Sequence, residues 1–343
     1  MGLVISKRAR KSRPRPISRS NELVIPIPLS PTISLHPSQT HVLTPTVNKA
    51  YPRLPIEVCE HIIDAIGVEH TYKYGYNNTK TLLACCLTSR EWFYRASIYL
   101  YTDAALYVNK ITPFSEALKG HPHVREFVRT LGIWQREGQP HRDLSLLPRY
   151  FSRSLPNLTR LEFYKVDFTV VYPEYSKILH QFTAVTSVLY HRVAFQSLHQ
   201  FYRHVKGFLH LEDLLFYRPA FRALEAGRPL STALTRRYRH KLCVQTVALN
   251  LCDANDIHVF ELFSPKSIAT LTVWFEEDTG KTVGPALASF LHDAQHTLHS
   301  FELHVLGPIR PNMEFGESLI YSVFLSARHS RNFQAPKIGR AHV

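Results

Sequence analysis

The 343-residue sequence lacks most of what metal chemistry, membrane insertion or known catalytic motifs require. It has five cysteines (Cys59, Cys85, Cys86, Cys243 and Cys252), an odd number with two adjacent. No pair stands at CxxC spacing, which excludes the usual zinc and redox motifs and makes buried free thiols in a reducing compartment the expected state. No apolar run approaches the roughly 18 residues of a membrane span, and the apolar stretch 242–251, broken by Gln245 and Asn250, reads as a strand. A GxSxG elbow, a phosphate loop, a GxGxxG turn and the kinase motifs are all absent. The twenty histidines form no HExxH motif; His121 and His123 flank a proline, and His199 and His204 stand off a common helical face, so most read as surface residues. Glu276-Glu277-Asp278 is a run of carboxylates whose neighbours point in different directions, and it reads as a solvated turn. No enzyme, metal or cofactor is expected.

Acidic residues are missing from the N-terminus. Residues 1–20 carry Lys7, Arg8, Arg10, Lys11, Arg13, Arg15 and Arg19 and no acid, so they hold seven of the formal +14, leaving +7 for the remainder. The body has one basic cluster, Arg236-Arg237-Tyr238-Arg239-His240-Lys241. Residues 1–50 are rich in Pro, Ser and Thr, hold one acid (Glu22) and show no sustained periodicity, which predicts a disordered basic tail. Residues 7–15 have the composition of a nuclear-localisation or polyanion-binding run, and suit a transit peptide except for their prolines. Met1-Gly2 followed by Ser6 fits an N-myristoylation pattern, and an acyl chain beside a basic run is a two-signal membrane anchor.

Residues 51–101 read as three short helices. The first opens at Leu54-Pro55 and carries Val58, Cys59, Ile62, Ile63 and Ile66 at helical spacing. A polar loop over 67–79 leads to the second, with Leu82, Leu83, Cys86 and Leu87. The third opens with Thr88 and Glu91 at capping-box spacing and presents Trp92, Phe93, Ala96 and Leu100. Three helices this short cannot bury so much apolar surface among themselves, so part of it must meet another surface. The stretches LPIEVCEHIIDAI and TLLACCLTSREWFYRA resemble the F-box of fungal-type F-box proteins in the Leu-Pro opening, the paired isoleucines, the Leu-Leu pair and the tryptophan. That resemblance implies binding to an SKP-family adaptor and thereby a cullin–RING (SCF-type) ubiquitin ligase, with Leu54, Pro55, Ile62, Ile63, Leu82, Leu83 and Trp92 as the adaptor-binding candidates.

Beyond Tyr101 the pattern L-x-x-L-x-L recurs in approximate form, its middle apolar residue falling at Leu131, Leu161, Val188, Leu214, Val247, Leu271 and Phe301. The steps of 24–33 residues each accommodate a strand, a turn and a helix. Helical spacing links Leu144, Leu147, Phe151 and Leu155, then Leu198, Phe201, Tyr202, Val205 and Leu209, then Leu287, Phe290, Leu291, Ala294 and Leu298. Such units bury their apolar faces only by stacking. The fold expected is therefore α/β: a three-helix F-box-like module over 51–101, then an irregular leucine-rich-repeat-like arc of parallel strands lined by helices over 102–336. On these strands the alternate residues face the opposite side, which places Trp134, Tyr164, Tyr217 and Trp274 on one surface as substrate-binding candidates. The final KIGRAHV (337–343) matches the in-frame reading of a sequencing-adapter oligonucleotide and is expected to be foreign to the protein.

The function expected is a substrate receptor, cytoplasmic and/or nuclear, joining the adaptor to a protein target. A nucleic-acid or membrane-surface binder using the basic tail, or a repeat scaffold, is the alternative. In the receptor reading neither nucleic acid nor membrane is a partner, unless Gly2 is acylated.

Overall fold

The computed structural model describes residues 55–72, 78–138, 142–172, 174–222, 241–251, 254–306 and 320–326, which fall within one compact unit. All seven leucine-pattern segments are strands: β2 (Thr130–Trp134), β3 (Arg160–Tyr164), β4 (Ser187–His191), β6 (Asp213–Tyr217), β8 (Thr246–Leu251), β9 (Thr270–Glu276) and β10 (Ser300–Leu306). An eighth, β1 (Asp103–Tyr107), precedes them, and the eight form one parallel sheet whose strand order follows chain order. The chain is thus α/β, with repeating strand–helix units. β11 (Ile320–Ser326) pairs antiparallel with β10 and ends the ladder.

Register is what makes the units equivalent. Leu131, Leu161, Val188, Leu214, Val247, Leu271 and Phe301 are successive partners across the sheet, all buried. Ile133, Phe163, Tyr190, Phe216, Leu249 and Val273 form the next buried row. Each large side chain so enclosed contributes roughly 1.5–3 kcal/mol. Before each strand from β2 to β9 of the parallel sheet one carbonyl accepts two N–H groups from the next unit. Arg129 O takes Thr159 and Arg160, Thr159 O takes Thr186 and Ser187, and Thr186 O takes Glu212 and Asp213. Glu212, Gln245 and Ala269 repeat the arrangement.

The helical layer packs on the buried rows: α4 (Ile111–Gly120), α5 (Leu147–Phe151), α6 (Tyr175–Ile178), α7 (Leu198–Lys206) and α8 (Glu277–Ala294), with 3₁₀ turns between them. α7 buries Leu198, Phe201, Tyr202, His204 and Val205, and Ser197 caps it by accepting from Gln200 N–H. Leu209, grouped with this helix by spacing, lies beyond its end and is exposed. His204, read as a surface histidine, is in the core. The tripeptide at 276–278 is no turn, because β9 runs to Glu276 and α8 begins at Glu277.

After β3, β4 and β6 the chain makes the same bend. Lys165, Arg192 and Arg218 adopt left-handed backbone angles (φ 56°, 53° and 49°). Their N–H groups donate to His191, Tyr217 and Asn250 carbonyls on the next strand. The bend starts a second small ladder in which Asp167 bridges Ala194, and β5 (Ala194–Phe195) pairs with β7 (Ala220–Phe221).

The three N-terminal helices are present as α1 (Ile56–Tyr72), α2 (Thr79–Cys86) and α3 (Arg90–Thr102). α1 starts one residue after Pro55, whose carbonyl accepts from Val58 and Cys59. It also runs past Gly67 into the stretch expected as loop. A Cβ at Gly67 would stand 2.2 Å from Tyr99 Cγ, so the glycine lets the α3 tyrosine lie against the α1 backbone. The cap of α3 is Ser89, which accepts from Trp92 N–H; Thr88, expected in that role, donates its hydroxyl to Ala84 O instead. Cys59, Cys85 and Cys86 are buried free thiols as expected, whereas Cys243 is exposed. α3 joins β1 with no residue between them, and Tyr94 and Phe93 set ring edges on Phe127 and His123 before β2.

The expected tail (1–50), Leu54, Cys252, the basic residues 236–240 and the segment 337–343 lie outside the described residues.

Candidate protein-binding surfaces

The face of the sheet opposite the helices carries three registered rows. The outermost, at the C-terminal ends of the strands, reads Tyr107, Trp134, Tyr164, His191, Tyr217, Asn250, Trp274 and His304. The four aromatics proposed from sequence thus share one row, all half-buried. Sequence reasoning missed its two ends, Tyr107 because β1 lacks the leucine pattern, and His304 because histidine carries no strand signal.

Within the row the rings engage one another. Trp134 and Tyr164 stack at 4.0 Å and 4° from parallel, and Trp274 and His304 at 5.1 Å and 10°. Tyr164 meets His191 at 5.6 Å, His191 meets Tyr217 at 6.3 Å, and Tyr217 reaches Trp274 at 5.2 Å across the shorter Asn250. Tyr164 is further fixed by donating its hydroxyl to Glu162 (2.8 Å), whose other oxygen accepts from Arg160 (2.7 Å). The rings therefore form a pre-ordered strip, with the Tyr164 hydroxyl turned back to Glu162 and the Trp134 indole nitrogen beside Gly132. Rigid aromatics lose little entropy when a partner settles on them.

Directly after three of these rings stand Lys165, Arg192 and Arg218. Among the described residues none of the three carries an ion pair or side-chain hydrogen bond. Burial, then the positive charges of Arg192, Arg218 and Lys165, lower the pKa of His191 below its ordinary value. Arg136, at the β2 end, lies 4.3 Å over the Tyr107 ring.

On the helical module the adaptor candidates separate. Ile63 and Leu82 are fully buried (0% exposed), so they pack the helices together and do not present themselves outward. Pro55 and Ile62 are exposed, while Leu83 and Trp92 are half-buried. Three further exposed apolar residues, Ile56, Val58 and Leu87, the last 82% exposed, stand outside the adaptor-binding candidates, although Val58 and Leu87 belong to the helical apolar patterns read from sequence. Arg95 clamps α3 to α1, both nitrogens on Asp64 at 2.6 Å, with the Tyr99 hydroxyl donating to the same carboxylate at 3.0 Å.

A cleft of about 300 Å³ opens in the helical layer between Phe168, Tyr172, Tyr175, Gln200 and Arg203. Beneath it Tyr190 and His204 Nδ1 are 2.6 Å apart. Burial lowers the His204 pKa to about 3, so the ring is neutral. The buried Tyr190 proton needs an acceptor, which makes tyrosine the donor and leaves the ring proton on Nε2. Among the described residues no group of three His, Cys, Asp or Glu side chains is placed to hold a metal, and no helix is long and apolar enough to cross a membrane.

No family model and no curated protein matches the chain. A solved Bacteroides fragilis protein from a structural-genomics consortium is similar at 9% identity and a TM-score of 0.32, over 62% of this chain and 75% of that one. A likeness this low carries no argument for fold or function.

Proposed function

We propose that the chain is a non-catalytic substrate receptor. Its three N-terminal helices bind an SKP-family adaptor of a cullin–RING ubiquitin ligase, and its strand-end row binds the protein to be modified. The resemblance of residues 54–96 to an F-box supports the first half. The observation that carries the reading is the apolar surface left uncovered there, with Ile56 (43%), Val58 (40%), Ile62 (44%) and Leu87 (82%) all exposed. Val58 and Ile62 stand one helical turn apart on α1. Apolar side chains concentrated on so small a module are what a partner interface requires.

Recruitment needs no catalytic residue. Holding a target beside the ligase raises the effective concentration of its lysines at the charged conjugating enzyme. The test is co-expression of the full chain with an SKP-family adaptor, followed by size-exclusion chromatography. A stoichiometric complex is the expected result, and separate elution of the two proteins sinks the proposal.

A further inference from the structure

The left-handed bend after β3, β4 and β6 is a backbone position that glycine or asparagine fills at least steric cost. This chain instead places Lys165, Arg192 and Arg218 there, in three consecutive units. Packing does not explain the choice, since Lys165 and Arg192 are exposed and Arg218 is half-buried. Ion pairing among the described residues does not explain it either, because none of the three has a carboxylate partner. Asp167, the acid closest in sequence to Lys165, is already held by Arg222 at 2.7 Å and by Thr169. Three unpaired cations thus spring from matching backbone positions on adjacent strands, about 4.8 Å apart from one strand to the next. They border the row of rings that runs through Trp134, Tyr164, His191 and Tyr217.

We infer that the target segment is an extended acidic peptide lying across these strand ends, its carboxylates on Lys165, Arg192 and Arg218 and its backbone along the row from Trp134 to Tyr217. This rests on the receptor reading and adds to it the chemistry of the target. Two carboxylates at i and i+2 of an extended chain lie about 6.7 Å apart, a spacing that fits within the roughly 10 Å between the outer two of the three strands that carry the cations. Single-stranded nucleic acid suits the surface less well. Base stacking needs open ring faces, and one face each of Trp134 and Trp274 is already taken by Tyr164 and His304.

The test is fluorescence anisotropy of a labelled glutamate decapeptide with the full chain at physiological salt. Three proteins are compared: wild type, Lys165→Asn/Arg192→Asn/Arg218→Asn, and a charge-matched control changing the exposed Lys110, Arg153 and Lys266 to Gln. Asparagine accepts the left-handed conformation more readily than Lys or Arg, so the first variant is expected to be at least as thermally stable as wild type. It is expected to bind the peptide roughly tenfold more weakly than wild type, with the control within about twofold. Equal losses in both variants would assign the binding to general charge, including that of the basic N-terminus, and overturn the inference. So would failure of wild type to bind, or tighter, row-dependent binding of a thymidine decanucleotide. Adaptor capture, run on the same three proteins, separates the two proposals. Capture without peptide selectivity leaves the receptor standing and removes only the acidic target, whereas peptide selectivity without capture does the reverse.

Discussion

Arg95 grips Asp64 with both Nε and Nη2 at 2.6 Å, joining the third helix of the module to the first. The Asp64 pKa is held below its ordinary value, first by the Arg95 hydrogen bond, with burial opposing it and Tyr99 assisting. A carboxylate pKa lowered by folding stabilises the fold above its unfolded pKa, and that contribution fades as pH falls through the lowered folded value. Because the guanidinium and carboxylate are 38% and 27% exposed, water weakens the pair. Arg95→Ala is expected to cost about 1 kcal/mol at neutral pH. The gap from wild type should narrow in strong acid, as followed by urea titration.

The helical module is expected to separate stability from binding. Ile62→Asp and Leu87→Asp change exposed positions, so they should leave the melting temperature nearly unchanged and abolish adaptor capture. Leu82→Ala empties a buried site and is expected to cost about 2–5 kcal/mol. Full capture by the Ile62→Asp/Leu87→Asp double variant would show that this surface is not the contact.

Gly67→Ala is expected to destabilise strongly, because the new methyl meets the root of the Tyr99 ring, which cannot swing clear without leaving Asp64. Adding Tyr99→Ala should recover part of the loss. Thermal unfolding of the single and double variants measures the coupling.

The Tyr190–His204 pair provides a pH signature. The folded His204 pKa is about 3 against an ordinary 6.5, so the unfolded chain binds the proton more readily between those values. Stability from this group is complete above about pH 6.5 and is lost as pH falls toward 3. The loss is on the order of 2 kcal/mol by pH 5. Tyr190→Phe/His204→Leu removes both polar partners together, and its stability should decline less between pH 7 and pH 5. Parallel denaturant curves for the two proteins would refute this origin.

Arg192→Asn is expected to raise stability by about 0.5 kcal/mol, since asparagine accepts the left-handed backbone more readily than arginine. Urea midpoints decide it.

Much of the sheet was legible because each strand must drive two large apolar side chains into the helical layer, and Leu161–Phe163 or Leu214–Phe216 leave that demand visible in the sequence. β1 was not, because its one buried position is Ala104, too small to register as a pattern. The two-residue strands β5 and β7 are too short for alternation to exist. Thr88 and Ser89 are both competent caps, and only the three-dimensional turn decides that Thr88 bonds backward to Ala84. The row of rings was half legible: alternation put Trp134, Tyr164, Tyr217 and Trp274 on one face, but register made them neighbours. The bends were illegible because Lys and Arg carry none of the turn signal that Gly or Asn would.

The junction at Thr102 and Asp103, where α3 passes into β1 without a connecting residue, sets a mechanical condition on the proposed role. Helix and sheet share one stretch of backbone, so a load applied to the module passes directly to the first strand and not to a hinge. A target seated on the strand ends would be held at a fixed distance and bearing from whatever grips α1. Such a receptor works as a ruler: lysines at one radius along the target are offered repeatedly, and those a few residues away are seldom offered.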